Sequence, residues 1–491
     1  MFSSRSFRVV TSSRSLTKNL ITRKSQATSS SFQAWRTIST SNDTMASPSK
    51  IHLIPENTGI FKFKAQDSET AAKVSELLQE NHEQHHIFFN DDGFHNHIVH
   101  HLLSLYGVGA PGSVIEKHYR NNASYQRPPV PLEERVVQDM SDSDHFQKYL
   151  GNEKYYHDFL VFFQKEMESK GCEKVLNEYL FAGNEKADDL LGRMYGGFFH
   201  PIIHLGFGLE FQQPAIIAEA LAQAAVHDNW TGKYLLRTEA AAKSNPNRSL
   251  NTKLVDLLDE IRADKKLANS AHIDDGNKVR DGVLVRAPEE MIRVASKWVV
   301  TPETLEKKTA EMTNAAIYFT AAAQRPPKQV KFDFFYMHCT NTSIFYPTFN
   351  SLSFLSTANK VRLLQWKGYV DLALYTSRGT APLHLSEISL YTPSKLEAGD
   401  AEWKGIFRRL TEFADDGHAV KFGRAVANAE RLCEPYEKEG DEVGVLNGFM
   451  WEKIGNMIVD SVEDTGATWA RNVGWAEAWK DYEDRPRKSQ L

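Results

Sequence analysis

The sequence predicts a mainly α-helical fold, with one large helical domain and minor β content over residues 50–491. Apolar residues recur at helical spacing in segment after segment, and no alternation of strands and helices runs along the chain. Clusters of Gly, Pro and Asn separate these segments, as breaks between helices require. With 491 residues, 41% of them hydrophobic, the chain is long enough to enclose one large core.

The predicted helices follow one another from residue 68 to residue 432. The first, SETAAKVSELLQE over 68–80, combines a Ser or Asp start signal with an apolar face, which is the pattern of an amphipathic helix. Similar patterns predict helices over 98–106, 145–169, 214–226, 253–265, 302–323, 359–375 and 416–432. The stretch GVGAPG, residues 107–112, has the spacing of a dinucleotide-binding loop. It follows a helix instead of a strand and contains Pro111, so we interpret it as a helix end and turn.

The first 49 residues differ in composition from the rest of the chain and predict a disordered N-terminal segment. They are rich in Ser and Thr, with five arginines, two lysines and a single acidic residue, Asp43. That composition is typical of a mitochondrial transit peptide, so we expect a mitochondrial location. Translation from Met45 would instead give a cytoplasmic protein.

Charge, hydropathy and cysteine content narrow the class of protein. The net charge of -5 and the lack of a Lys/Arg stripe argue against nucleic acid as a partner. No apolar run of about 18 residues is present, so we expect no membrane span. Three widely separated cysteines indicate a reduced protein without a disulfide framework. The oligomeric state is left open.

Several of the eighteen histidines fall at helical spacing. His97 and His101 are four residues apart, and so are His200 and His204 in GGFFHPIIHLGFGLEF. On a helix such pairs share one face, with Cβ atoms about 5–6 Å apart, close enough for two imidazoles to meet one metal ion. Taken alone, each pair also fits packed core histidines, and His97 also fits a helix cap.

Two further segments carry candidate ligands. His338 lies in YMHCTNTS, and His418 and Lys421 are three residues apart in DDGHAVKFGRAV, after a helix-start signal at Asp415 or Asp416. Lys421 has apolar neighbours. A lysine turned inward there must lose its proton or find an anion, whereas the alternative is a lysine that reaches the surface.

Four blocks in order, NHIVHHLLSLYGVGA, GGFFHPIIHLGFGLEF, MHCTNTS and DGHAVKFGRAV, resemble the motifs of the fungal questin oxidase-like family, from about Lys50 onward. The resemblance implies an oxidoreductase that uses O2 to oxygenate or cleave the ring of an aromatic or quinone small molecule of the polyketide type. It also implies a mononuclear non-haem Fe(II), held by four histidines and a carboxylated lysine, and NADPH as a candidate reductant.

Carried onto this chain, the resemblance implies the lysine Lys421 and five candidate histidines: His101, His200, His204, His338 and His418. Because four are needed, one of the five would support the site without binding metal, with His200 or His101 preferred for that part. Lys421 and His204 are the residues that we expect to be catalytic. Glu210 either orients a ligand histidine or forms a salt bridge at a helix end.

Three functional hypotheses follow. The first is the iron oxygenase. The second is an NADPH-dependent Baeyer–Villiger-type monooxygenase, for which the sequence offers no credible nucleotide fingerprint. The third is a non-catalytic helical protein that binds an aromatic ligand. For a planar substrate, we expect aromatic walls from Phe198, Phe199, Phe207 and the segment 332–336. We expect Tyr195 or Tyr336 to donate a hydrogen bond to a phenolate oxygen of that substrate.

Overall fold

A computed structural model describes residues 45–246, 249–393, 401–441 and 443–485. Within these ranges the chain is helical, and β structure is limited to isolated bridges such as Phe88 with His95. The predicted fold class is therefore confirmed. The predicted N-terminal segment lies, as far as residue 44, outside the described residues. No helix in the described ranges is both long and apolar enough to cross a membrane.

The α-helices are numbered α1 to α23 in chain order. Their bounds are Ser68–Gln84, Ile98–Gly107, Gly112–Ala123, Glu134–Met140, Ser143–Phe146, Tyr156–Lys170, Cys172–Tyr179, Glu185–Met194, His200–Glu210, Pro214–Val226, Gly232–Ser244, Leu254–Ala263, Lys265–Ala268, Leu284–Arg286, Pro288–Ala295, Leu305–Ala322, Phe334–Ser343, Tyr346–Ser351, Thr357–Ser377, Leu385–Ser389, Trp403–Glu412, His418–Lys438 and Met450–Glu463. Short 3-10 helices cover Gln147–Tyr149, Glu153–Tyr155, Gly197–Phe199, Pro302–Thr304 and Ala476–Trp479, and a π-helical turn covers Lys278–Val283.

Most predicted helices are present, and α10 has the predicted bounds. The prediction over 145–169 is wrong at its start, because the chain turns at Gly151, where φ is +73°, and α6 begins only at Tyr156. The GVGAPG stretch joins the end of α2 to the start of α3, with Gly109 in the left-handed region at φ +81°. Its interpretation as a helix end and turn is confirmed.

The centre of the described body is formed by α9 and α10, in which every residue is buried. A helix that is apolar on all sides belongs in the core of a large domain. The two helices pack closely at Gly208, where a Cβ would lie 2.7 Å from the side chain of Ile217. Around them, α6 and α8 contact α10, while α2, α17 and α18 contact α9.

An unusual turn leads into α9. Gly197, Phe198 and Phe199 have φ values of +51°, +54° and +72°, three consecutive residues in the left-handed region. For the two phenylalanines this conformation costs of the order of 1–3 kcal/mol each, and such strain is found mostly at functional sites. The turn fixes His200 as the first residue of α9.

The start of α22 lies directly against α2. Gly417, at φ +93°, precedes His418, and a Cβ on this glycine would lie 2.6 Å from the Cβ of His101. Only glycine fits both the backbone conformation and the space. The first turn of α22, with His418 and Lys421, is thereby held beside the start of α2.

Candidate metal centre

Four buried histidines converge in the interior: His97, His200, His338 and His418. One ring nitrogen of each lies within 4.8 Å of those of the other three. The Nε2 atoms of His97 and His200 are 2.9 Å apart, and those of His338 and His418 are 3.3 Å apart. Two nitrogens bound at about 2.1 Å to one ion stand about 3.0 Å apart at a right angle and about 4.2 Å apart when opposite. The spacing of this histidine cluster therefore suits a single metal ion after a slight contraction.

Four different elements bring these imidazoles together. His97 directly precedes α2 and makes no side-chain cap, so its ring is available to the cluster. His200 and His418 are the first residues of α9 and α22. His338 lies one turn into α17, whose start is fixed by the Asp333 carboxylate, which accepts hydrogen bonds from the Phe335 and Tyr336 amides.

The second ring nitrogen of three of the imidazoles is occupied. His200 Nδ1 donates to the Gly197 carbonyl, His338 Nδ1 to the Phe334 carbonyl and His418 Nδ1 to the Asp416 carboxylate. Because these oxygens only accept, Nδ1 carries the proton and Nε2 keeps its lone pair. Such partners orient the imidazole ligands of metal sites. Lone pairs that face one another at 3.3 Å repel unless a cation lies between them, so the donor set fits a metal ion.

His97 is held by the same carboxylate that orients His418. Its Nδ1 lies 3.2 Å from Asp416 Oδ2, although the angle is unsuited to a hydrogen bond. Burial, reinforced by neighbouring cationic groups, lowers the pKa of His97 and His200 well below the usual 6.5. His338 shifts in the same way and for the same reasons. The imidazoles are therefore neutral at physiological pH, as metal ligands must be.

Lys421 is turned inward beside the cluster. Its side chain is buried at 2% exposure, and its charge contributes to lowering the pKa of His200 and His338. Burial lowers the pKa of Lys421 itself to about 8, against the opposing effect of Asp416 and Asp415. Within the described ranges, its amine has no hydrogen bond or ion pair. A substantial fraction of this amine is therefore neutral and nucleophilic near pH 8.

Of the five predicted ligand histidines, the structure brings three into the cluster and leaves two outside. His101 faces α3, where its Nδ1 pairs with Asn122 Oδ1 at 2.7 Å. His204 pairs through Nε2 with Glu219 Oε2 at 2.7 Å and through Nδ1 with His100 Nε2 at 3.1 Å. His97 takes the fourth place, because the start of α2 directs its ring, and not that of His101 one turn later, towards α9 and α22.

Other predicted roles are settled by their contacts. Glu210 forms a buried ion pair with Arg424 at the end of α9 and accepts from the Ile60 amide, so it is the helix-end salt bridge and not a partner of a clustered imidazole. Tyr195 OH donates to the Leu363 carbonyl and Tyr336 OH to the Tyr375 carbonyl, so both phenols are already engaged.

Several buried polar contacts of other histidines were not predicted from the sequence. His86 is fully buried, and His82 Nδ1 contacts Glu219 Oε1 at 2.6 Å. His95 stacks on His200 with ring centroids 3.8 Å apart. No short-range pattern signals these contacts, apart from the dense histidines of residues 82–101.

Partly exposed aromatic side chains lie over one side of the cluster. The Phe334 ring is 4.6 Å from that of His338 and 5.2 Å from that of His418, and Trp469 is 6.2 Å from His418. Phe198 packs on Phe335 with centroids 4.6 Å apart. These four aromatic residues, which we call the aromatic rim, retain some exposure, whereas the other predicted wall residues, Phe199, Phe207 and Phe332, are core residues.

Comparison with known proteins gives consistent matches. The family model described as Questin oxidase-like matches residues 94–426, which include the four clustered histidines and Lys421. The chain is 37% identical over 439 residues to a Baeyer–Villiger monooxygenase of Cryptosporiopsis sp., covering 88% of this chain and 98% of the relative. It is 37% identical over 444 residues to a Baeyer–Villiger oxidase of Paecilomyces divaricatus, covering 89% and 96%. It is 34% identical over 440 residues to a questin oxidase of Aspergillus terreus, covering 89% and 98%.

Proposed function

The chain belongs to the questin oxidase-like family and is an oxygenase, and from this premise we propose that it uses O2 to oxygenate or cleave an aromatic or quinone ring at a mononuclear non-haem iron. The proposed ligands are His97, His200, His338 and His418, with a carboxylated Lys421. The hypothesis of a non-catalytic binding protein is set aside, because the relatives are named as oxidases and monooxygenases.

One observation carries the proposal of a metal site. Four buried, neutral imidazoles lie within 4.8 Å of one another, and the oriented ones aim their lone pairs at a common centre. Imidazole nitrogen is a ligand that suits iron. When bound there, Fe(II) would supply the one-electron chemistry that ground-state O2 requires in order to react with an organic molecule.

Lys421 supplies the anion that the histidines lack. Its neutral amine can add CO2, forming an N–C bond and losing a proton, to give a carbamate with an anionic oxygen. Burial favours this reaction, because it lowers the pKa of the amine to about 8. Because the carbamate neutralises one positive charge in the buried site, it lowers the cost of holding a divalent cation there.

The aromatic rim is suited to a planar, polycyclic phenol or quinone. Phe334 contacts the rings of His338 and His418 directly, so a substrate stacked on it would lie next to the cluster. The Arg471 guanidinium lies 5.1 Å from the centre of the Phe334 ring and offers a positive charge for a phenolate oxygen.

A Baeyer–Villiger-type insertion would place one oxygen atom of O2 in the product and one in water, and it needs two electrons from NADPH or a hydroquinone. Ring cleavage as a dioxygenase would place both atoms in the product and needs no added reductant. Names of relatives favour the first reaction. The only GxGxxG spacing joins two helices in the structure, so we propose that NADPH acts by reducing the quinone substrate and not at a nucleotide-binding domain of this chain.

The test is metal analysis of anaerobically purified protein, combined with turnover of hydroxyanthraquinones under 18O2. We expect about one iron per chain, O2 consumption that depends on that iron, and one 18O atom in the product. Two 18O atoms without any reductant would establish dioxygenation. Metal-free protein that consumes O2 with NADPH at the full rate would overturn the proposed iron site.

A further inference from the structure

A buried arginine lies beside the aromatic rim and has no part in the proposed metal site. Arg378 directly follows α19 and is 3% exposed. Its guanidinium carbon lies 3.6 Å from the centre of the Phe335 ring and 5.6 Å from that of the Phe198 ring, and both rings belong to the rim. Phe335 neighbours Phe334, with ring centroids 5.5 Å apart. Arg378 is therefore adjacent to the surface on which we propose that a planar substrate stacks.

Two nitrogens of this guanidinium have no hydrogen-bond partner. Nη1 donates to Asn472 Oδ1 at 2.9 Å, but Nε and Nη2 donate to no atom in the part of the chain that the structure describes. These two nitrogens lie on the same edge of the planar group, and their parallel N–H bonds match the two oxygens of a carboxylate. Arg409 uses this edge to bind both oxygens of Glu463. Arg378 presents the same edge without a carboxylate.

No acidic side chain of the described ranges forms an ion pair with Arg378. The carboxylate that acts most strongly on it is Asp333, but each Asp333 oxygen already accepts two backbone N–H groups, one pair from the first turn of α17 and one from residues 472 and 473. Burial, with a smaller effect of the Arg471 charge, lowers the pKa of Arg378 to about 10 against the opposing effect of Asp333. The guanidinium is therefore positively charged at physiological pH.

A buried charge in this position is unfavourable until an anion reaches it. Removing an ion from water carries a large penalty, which a partner repays only if it also satisfies the free hydrogen-bond donors. The carbonyl end of α19 and the charge of Asp333 offset part of the penalty, but neither accepts from Nε or Nη2. An anion with two oxygens would satisfy both nitrogens at once. The arrangement is thus that of an anion site whose ligand comes from outside the chain.

A ligand can approach this edge from the aromatic rim. Phe198 and Phe335 cover the guanidinium and are themselves partly exposed. Changes of side-chain rotamer on binding are common even where the backbone stays fixed. Phe334 contacts the His338 ring at 4.6 Å, so a planar molecule lying along Phe334 and Phe335 would have one end at the histidine cluster and the other at Arg378.

We propose that Arg378 forms a carboxylate subsite at the Phe335 end of the aromatic rim, and that this subsite selects planar aromatic ligands bearing a ring carboxylate. The proposal rests on the proposed function, because it assigns a group of the substrate to the rim. A carboxylate accepts from both free nitrogens, whereas a single phenolate oxygen does not match the fork. Asn472 is a positioning residue, since it holds Nη1 and leaves the opposite edge free.

The first experiment compares ligands that share one ring system. Anthraquinone-2-carboxylate and anthraquinone-2-carboxamide are titrated into the full chain by calorimetry, without reductant. We expect the Kd of the carboxylate to be lower by about 10–100-fold, the size of a buried hydrogen bond to a charged group, and this ratio to be constant between pH 6 and 9. Equal Kd values would overturn the subsite. Ionised 2-hydroxyanthraquinone that binds as tightly as the carboxylate would indicate a phenolate site and would also overturn it.

The second experiment tests whether Arg378 is the source of this preference. Arg378→Gln should give equal Kd values for the two ligands, and Arg378→Lys, which keeps the charge but not the fork, should retain only a small part of the difference. The matched control is Lys278→Gln, because Lys278 is a neighbouring buried cation whose amine already donates to the Ile273 and Asp275 carbonyls. It should keep the wild-type preference. A full preference in either Arg378 variant, or an equal loss in Lys278→Gln, would contradict the proposal.

Failure of the subsite and failure of the proposed function give different results. Binding of the two ligands requires neither iron nor turnover. If the chain is not an iron oxygenase, the preference for the carboxylate persists while iron and turnover are absent. If only the subsite is wrong, the wild type contains iron and turns over a hydroxyanthraquinone but binds the two ligands equally. Urea unfolding of each variant separates a loss of fold from a loss of binding, and Arg378→Lys keeps the test decisive if Arg378→Gln does not fold.

Discussion

Exchanging His97 for alanine removes one nitrogen from the histidine cluster, whereas the same exchange at His101 removes an imidazole that faces α3. His97 directly precedes α2 and His101 lies in its first turn, four residues later, so they form a matched pair. We predict that His97→Ala loses iron and that His101→Ala retains it. The sequence alone places His101, and not His97, among the five candidate ligands, so the pair separates the ligand set of the structure from the candidates of the sequence.

The expected magnitude follows from the contacts of each ring. His97 Nε2 is 2.9 Å from His200 Nε2, within the distance of two ligands of one ion. Residues that only orient a ligand contribute about 10–100-fold to metal affinity, so loss of a ligand should cost at least about 100-fold, or about 2.7 kcal/mol. His101 is buried, packs on the His118 ring and pairs with Asn122, so its loss should cost about 2–5 kcal/mol of folding stability and leave iron affinity unchanged.

The assay is iron content per chain after anaerobic purification, followed by competition against a chelator of known affinity. Urea unfolding of both variants separates a loss of fold from a loss of metal. If His97→Ala keeps the wild-type dissociation constant, or if His101→Ala weakens iron binding as much as His97→Ala does, then the ligand set derived from the structure is refuted.

Three further predictions test the charges around the site. Lys421→Ala should lower turnover at least about 100-fold, and added formate or acetate should restore part of the activity because it can replace the carbamate oxygen. Neither anion should restore the activity of Lys421→Arg. Wild-type turnover in either variant would contradict carboxylation of Lys421. In the metal-free protein, burial holds the pKa of the clustered imidazoles below the 6.5 of the unfolded chain, so below pH 6.5 the unfolded state binds more protons. Stability should therefore be full above that pH and fall on acidification by up to about 1.4 kcal/mol per pH unit for each imidazole. Urea midpoints that stay equal at pH 7.5 and 5.5 would disprove this. Arg424→Met should lower the free energy of unfolding in urea by about 3–5 kcal/mol, because it leaves the Glu210 carboxylate buried without its partner. The control Arg120→Met, which removes an exposed ion pair with Glu116, should lower it by under about 1 kcal/mol. Equal losses in the two variants would argue against a buried ion pair.

Local pattern was sufficient for the fold class and for most helices. The apolar periodicity of α1 and α10 can be recognised within a short segment of sequence. The same is true of the glycines that follow α2 and end it. The helix expected over 145–169 failed because its apolar spacing continues across Gly151, where a backbone turn overrides the pattern. Periodicity reports which face a residue occupies, but not whether the backbone stays helical.

The ligand set could be predicted only in part. A spacing of four residues shows that the two histidines of a pair, His97 with His101 or His200 with His204, can lie on the same helical face. It does not show which histidine of each pair reaches the cluster formed with the other helices. That choice depends on long-range packing: the left-handed turn at Phe198 and Phe199 sets the start of α9, and Gly417 sets the start of α22 against α2. Contacts between segments about 100 residues apart leave no short-range signal, and the same holds for Glu219.

The most direct test of the iron site is anomalous diffraction at the iron absorption edge, from crystals of anaerobically purified protein. The structure predicts one peak about 2.1 Å from the Nε2 atoms of His97, His200, His338 and His418, with extra density on the Lys421 amine. A peak bound instead by His101 or His204, or no peak among the four clustered imidazoles in protein that consumes O2 at the full rate, would contradict the proposed site.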